Sequence, residues 1–333
     1  MKRVVVAGVV VGAALVAPAA ALAHVGTSPP VATNFAAHIT RAAPGVEARV
    51  VDGDQTLWLL VTSPTMLLVP GVEGEPLLRF DSRGVWVNRH SLTAETDRID
   101  RFDLRPLANP RARPFWHRLN DGHAYAWHEH RLHLFEPLAA AHHSAAQLGA
   151  WTVPLIIDGQ RHELAGVLDY RPPPPRWVWV AASVLLAAAT AAAAWRRQRP
   201  TVALALAATL LVWVLRIGRE LYGRPTVGAT GWLELALTSV VGVALLYGLL
   251  HRDEAIRTFT AFLVGFGGLY QGLTMAPVLT HSIALTVLPT SAARVAVAVT
   301  LGLSAGALVG GWHGLLNERG QPERIEPLKT SAA

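Results

Sequence analysis

The sequence predicts two architectures in series: an exported all-β sandwich of immunoglobulin-like or cupredoxin-like type, then an α-helical membrane domain of about five spans. Three observations carry this. The first residues run basic, apolar, then small, in the order of an export signal. Short alternating stretches separated by turn residues follow as far as Tyr170. At Trp177 the composition changes abruptly to Ala, Leu, Val and Gly in runs of membrane-spanning length.

Lys2 and Arg3 supply the positive start, Val4 to Val16 an apolar core too short for a comfortable span, and Ala21-Leu22-Ala23 a small-residue cleavage site. Residues 1–23 are therefore expected to be a signal peptide, which makes His24 the first residue of the processed chain. The expected organisation continues with an extracytoplasmic domain over 24–170, a proline-rich linker over 171–176, a transmembrane domain over 177–316 and a cytoplasmic tail over 317–333. That is a multi-pass protein of the cell membrane with its N-terminal domain outside.

Within the exported part, Val46, Ala48 and Val50 alternate with Glu47 and Arg49, and Asp52-Gly53-Asp54 turns the chain into Leu57 to Val61. Further strands are predicted at Met66 to Val69, Leu77 to Phe80, Val85 to Asn88, Ala124 to Leu134, Trp151 to Ile157 and Glu163 to Tyr170. Asp158-Gly159-Gln160 joins the last two as a hairpin. Such a count of short strands predicts a sandwich. Leu104 to Pro114 and Pro137 to Gln147 read as long loops, the second with room for a short helix, and the four prolines of 171–176 as a stiff spacer.

Five apolar segments then reach spanning length: Trp177 to Trp195, Thr201 to Ile217, Trp232 to Leu250, Thr258 to Met275 and Val295 to Leu315. Ala276 to Pro289, apolar but short, reads as re-entrant or interfacial. With the first domain outside, eight basic residues fall on the inner side and six on the outer, a weak bias that leaves the leader as the main orientation signal. The net charge of +6, which becomes +4 without Lys2 and Arg3, belongs to loops flanking apolar segments and argues against nucleic-acid binding. Arg216, Arg219 and Glu220 end the second span and Glu234 begins the third, so an arginine paired with Glu234 is expected. Gly302, Gly306, Gly310 and Gly314 recur every four residues, as do Gly268 and Gly272, a spacing that brings helix backbones close and offers a face for self-association.

The histidines divide unevenly. Eleven of fourteen lie between His24 and His162, in the exported part. The chain has no cysteine, which excludes disulfides and thiolate ligands, and only Met66 and Met275 remain as thioethers once the leader is gone. A processed chain starting at His24 presents an α-amine and a ring nitrogen from one residue, and a second histidine in space completes a three-nitrogen set suited to Cu(II). The densest ligand cluster is Trp127-His128-Glu129-His130-Arg131-Leu132-His133. On a strand His128 and His130 share a face, with Cβ atoms roughly 7 Å apart, while Glu129 and Arg131 point the other way; His133 breaks this parity unless a bulge intervenes. The metal ligands expected are therefore His24, His128 and His130, with His133 as a replacement or fourth ligand. His117, His123, His142 and His143 are loop residues of auxiliary interest, and Trp58, Trp86, Trp127 and Trp151 are expected in the core.

On these residues the chain resembles a group of actinobacterial membrane proteins with an exported, histidine-starting domain, in which Gly71-Val72-Glu73-Gly74-Glu75-Pro76 and the Trp127 to His133 run also occur. It is more distantly similar to CopC-type copper resistance proteins, β-sandwiches that bind Cu(II) through an N-terminal histidine and are sometimes fused to a CopD-type membrane domain. Ser28-Pro29 resembles part of the Ser-x-Pro that follows that family's start, while His128-Glu129-His130 stands near the place of its Asp-x-His pair. The resemblance implies an anchored copper(II)-binding protein of copper homeostasis or delivery, with a copper donor or acceptor protein as partner. A metal-free envelope protein that docks a partner, and a histidine-brace copper oxygenase, are the competing readings.

Overall fold

The computed structural model describes residues 30–62, 65–99, 107–196, 198–222 and 229–319. The chain runs β1 (Ala32–Thr33), β2 (Phe35–Arg41), β3 (Val46–Val51), β4 (Thr56–Val61), β5 (Leu67–Pro70), β6 (Pro76–Asp81), β7 (Gly84–Asn88), a short helix α1 (Leu92–Thr96), β8 (Trp116–Asn120) and β9 (Ala124–His128). Two short 3-10 helices, His130–Leu132 and Glu136–Ala141, precede the long hairpin β10 (Ala146–Ile157) and β11 (Gln160–Tyr170). The helical part is α2 (Arg176–Ala194), α3 (Gln198–Leu221), α4 (Ala229–Leu250), α5 (Glu254–Thr274), α6 (Pro277–Thr280), β12 (Ile283–Ala284) and α7 (Thr290–Arg319).

The strands form an antiparallel seven-stranded sheet in the order β2-β11-β10-β5-β6-β7-β8 and a three-stranded sheet, β3-β4-β9. One core lies against both. Leu57, Leu59 and Val61 of β4 and Trp127 of β9 pack with Leu67, Leu78, Phe80, Val85, Val87, Val153, Leu155 and Leu164 of the larger sheet. The period of two along β4 puts its apolar residues on that inner face. The hairpin between β10 and β11 closes on Asp158 and Gly159, both at positive φ, and pairs Ile157 with Gln160 as a two-residue turn requires. Strands β2 and β8, which the sequence pattern did not mark, occupy the two edges of the larger sheet.

Of the four tryptophans expected in the core, Trp127 and Trp151 are there. Trp86 is not: it is half-buried on the outer face, beneath the guanidinium groups of Arg79, Arg83 and Arg118 at 5.1, 5.7 and 5.6 Å. Its cross-strand neighbours are Arg79 and Arg118, so cation–π contact replaces burial. Trp58 is buried outside the main cluster, with Arg49 over its ring at 5.3 Å.

Three helices, Arg176–Ala194, Arg199–Leu221 and Thr290–Leu316, are long and apolar enough to cross a membrane. With α4 and α5, of 22 and 21 residues, they pack as one bundle. The glycine stripe of α7 is filled within the chain: a Cβ at Gly302 would meet Leu186 at 2.7 Å, and Cβ atoms at Gly306 and Gly310 would run into Thr190 and Ala194, all on α2. At these three positions the spacing serves the close approach of α7 to α2. The 276–289 stretch is a single turn, α6, followed by strand β12, and not a span.

The two halves of the chain are fastened to each other. Strand β1 pairs with β12, Leu285 N–H donates to Val31 O at 3.0 Å, and Ser282 Oγ donates to Arg171 O at 3.0 Å. Arg219, near the end of α3, reaches into the β-rich part: its Nη2 meets Asp52 Oδ1, and its Nε donates to Pro30 O at 2.6 Å. Both Arg219 and Asp52 are buried. Arg216 donates to Gln271 Oε1 at 2.7 Å. The expected partner for these arginines, Glu234, has a side chain outside the described residues; Arg219 instead takes a carboxylate 167 positions away. Because removing one member of a buried pair strands the other, Arg219→Ala is expected to destabilise the detergent-solubilised chain by about 3–5 kcal/mol, and Asp52→Asn combined with Arg219→Gln by less than the two separate losses added. Thermal unfolding of Arg219→Ala, of the two single variants and of the double variant measures both.

Candidate metal centre

Strand β9 stops at His128, earlier than the alternation to Leu134 predicts. Glu129 ends it. Its N–H donates to Gln55 O at 3.0 Å, while its carboxylate caps the following turn by accepting from Arg131 N at 3.2 Å. The same carboxylate accepts from Arg131 Nε and Nη2 at 2.7 and 2.6 Å and from Trp127 Nε1 at 3.0 Å. Arg131 Nη1 then donates to Pro70 O at 3.1 Å. Glu129 and Arg131 are thus buried as a bidentate pair, and the backbone wraps around them as a 3-10 turn over His130–Leu132. Strand parity does not apply here, and the turn resolves the problem it posed for His133.

The turn gathers all three histidines. His128, His130 and His133 each offer a ring nitrogen, and these atoms lie within 4.8 Å of one another. Ring centroids are 4.6, 5.1 and 5.2 Å apart, with His128 and His130 edge to face at 81°. All three are half-buried. His130 Nδ1 is engaged by Asp97 Oδ1, and His133 Nδ1 donates to Asp54 O at 3.3 Å, so both rings keep Nε2 for a metal. Burial, and then the neighbouring His130 and His133, hold His128 below the ordinary histidine range. A ring that is neutral near pH 7 surrenders no proton on binding a metal.

Asp97 caps the C-terminus of α1, and α1 is itself positioned by Glu75. Glu75 Oε1 accepts from Ser91 Oγ at 2.6 Å and from Thr93 N at 3.1 Å, and Ser91 Oγ accepts from Ala94 N at 3.1 Å as the helix N-cap. Gly71 leaves room for this carboxylate, since a Cβ there would strike it. Glu75, the second glutamate of the Gly-x-Glu-Gly-Glu-Pro segment, is therefore linked to His130 through Thr93 and Asp97 of the α1 turn.

Three carboxylates, Glu75, Asp97 and Glu129, are buried behind the triad with Arg131 as the cation among them. Asp97 Oδ2 and Glu75 Oε2 have no hydrogen-bond partner among the described residues. Burial first, then the charges of Glu129 and Glu75 against the opposing pull of Arg131, pushes Asp97 up to about 8. Asp54, on the other side of the triad, is also pushed up to about 8, by burial and then by its hydrogen bond and charge interaction with Glu136. A cation at the triad would relieve the surplus negative charge, which makes the residues present a fit for a metal ion.

Of the four ligands expected from the sequence, the structure brings together His128, His130 and His133, while His24 lies outside the described residues. Among the other histidines, His38 faces Asp169 at 3.6 Å, and His90 Nδ1 contacts Arg113 O at 2.7 Å. Asp97 and Asp54 are the residues of the candidate site that spacing alone did not reveal; Glu75 was visible only as part of a recurring segment. No family model, curated protein or solved structure matches the chain.

The two raised carboxyls set a pH dependence. Unfolding returns them to the ordinary carboxylate range near 3.8, so between that value and about 8 the folded chain holds more protons than the unfolded one. Their contribution is full below the unfolded value and is lost as pH rises through the folded one. The melting temperature of the metal-free chain is expected to fall between about pH 5 and pH 8, and Asp54→Asn to reduce that slope, as a series of melts will show.

Proposed function

We propose that the chain is a membrane-anchored, extracytoplasmic copper(II)-binding protein, with the metal held by His128, His130, His133 and the processed N-terminus at His24. The observation that carries this reading is the three ring nitrogens within 4.8 Å, set over buried carboxylates in excess of their cation. Nitrogen donors without thiolates suit Cu(II), and the absence of cysteine from the chain leaves imidazole as its soft-to-borderline ligand. Each histidine supplies one nitrogen, Asp97 and Asp54 O orient two of the rings, and Glu129 with Arg131 holds the turn that presents them. The metal would supply a strongly bound, redox-capable centre suited to storage or delivery.

A chain of contacts from Pro30 to the histidine turn supports the N-terminal brace. Pro30 O contacts Arg219, Arg219 contacts Asp52, and the same turn offers Asp54 O to His133. Five residues lie between His24 and Pro30, and the six steps from one to the other can span at most about 20 Å. The two antiparallel sheets around one core favour the sandwich description, and the lengths of α4 and α5, 22 and 21 residues, favour a five-span topology with the β-rich domain outside.

Cu(II) titration of the full chain in detergent tests the centre. Replacing His128, His130 or His133 singly by Ala is expected to weaken binding more than the roughly 10–100-fold loss expected for Asp97→Asn, an orienting residue. Wild-type affinity in the triple alanine variant would dismiss the site. A Gly inserted before His24 should lower affinity and alter the copper spectrum; an unchanged spectrum would remove the brace and leave a three-histidine site.

A further inference from the structure

At the end of the bundle remote from the β-rich domain, a cavity of about 310 Å³ opens between the end of α2, the start of α3, the end of α4 and the start of α5. Its lining is divided. Ala194, Val202 and Leu249 form an apolar wall, while Arg196, Arg199 and Arg257 supply three guanidinium groups against the single carboxylate of Glu254. None of these three arginines makes an ion pair among the described residues, although Glu254 shares their cavity. Trp195 borders it, 64% exposed, with its ring 5.8 Å from His313. The helices that meet here include two that are apolar enough to cross a membrane, and the 19 residues of α2 separate the cavity from the β-rich side by about 28 Å, close to the thickness of a bilayer's hydrocarbon core.

We infer that this cavity binds the phosphate headgroup of an anionic phospholipid, with the arginines on the phosphate and the apolar wall along the acyl chain. Surplus positive charge beside an apolar surface at the bilayer boundary matches the two-part chemistry of such a lipid, and Arg offers phosphate paired donors. The volume is at the lower end of the ~300–1,000 Å³ range of small-ligand sites, enough for a headgroup with its tail left in the bilayer. The inference is independent of the metal centre, which lies at the other end of the helices.

Native mass spectrometry of the detergent-solubilised full chain, titrated with phosphatidylglycerol, phosphatidylcholine or inorganic phosphate, is the test. Phosphatidylglycerol is expected to bind at least tenfold more tightly than phosphatidylcholine. Arg199→Ala with Arg257→Ala should cost roughly thirtyfold, at about fivefold per arginine. Glu254→Gln, which removes the opposing carboxylate, should bind more tightly than wild type and does not depend on the arginine variant folding. His128→Ala should leave lipid binding unchanged. Equal affinity for the two lipids, or full retention in the double-arginine variant, would overturn the site. Inorganic phosphate competing as well as phosphatidylglycerol would overturn the lipid assignment in favour of a soluble phosphate.

Discussion

Four residues between β3 and β4, Asp52 to Gln55, hold the chain's parts in register. Asp52, at φ 62°, turns its carboxylate to Arg219 of α3; Gln55 O receives the N–H of Glu129 at 3.0 Å; and Asp54 O receives the ring of His133 at 3.3 Å. Gly53 sits so close to Thr33 that a Cβ would lie 2.6 Å from its methyl group. A single turn therefore contacts the start of the described chain, the membrane-type bundle and the histidine turn. Shifting it would open a buried ion pair and disturb the ring orientation at once, so the placement of the triad and the docking of the bundle are one constraint.

The electrostatics behind the histidines follow from what that frame buries. Glu129 is fully satisfied, with Arg131 and Trp127 as donors. Asp97 and Glu75 are not, since each keeps one oxygen without a partner among the described residues. Burying unpaired carboxylates carries a desolvation penalty that protonation or a nearby cation can relieve. Asp97 takes the first route in the metal-free chain, with its carboxyl near 8. The proposed copper would provide the second, acting through His130. On this view Glu75 is an anchor for α1, and its unspent charge adds to the field that favours a cation.

Much of this was legible in the sequence, and what was not shares a cause. The composition break near Trp177, the Asp158-Gly159 turn and the period of two in β4 are local signals, and the corresponding elements formed where they were expected. The histidine cluster was also local, though its geometry was not. Strand parity put Glu129 and Arg131 opposite the histidines and left His133 out, whereas the inward bidentate pair bends the backbone into a turn that admits His133. Asp97 lies 33 positions from His130, and Asp52 lies 167 from Arg219. No periodicity encodes such separations; they arise from where α1 and the β3–β4 turn are packed.

The bundle shows how two kinds of signal in one apolar sequence have different uses. Glycine spacing on α7 is used in packing against α2, where Leu186, Thr190 and Ala194 occupy the space that Cβ atoms at Gly302, Gly306 and Gly310 would need. Arginines at the helix ends have no such default. Arg219, near the β-rich end, is enclosed by Asp52 and Pro30 O, and so becomes structural. Arg196, Arg199 and Arg257, at the other end, line one cavity with the single carboxylate of Glu254. A guanidinium that finds a buried carboxylate joins the fold; one that finds an open cavity keeps its charge for an outside anion. That difference in surroundings, more than any difference in residue type, assigns the two ends of the same helices to different tasks.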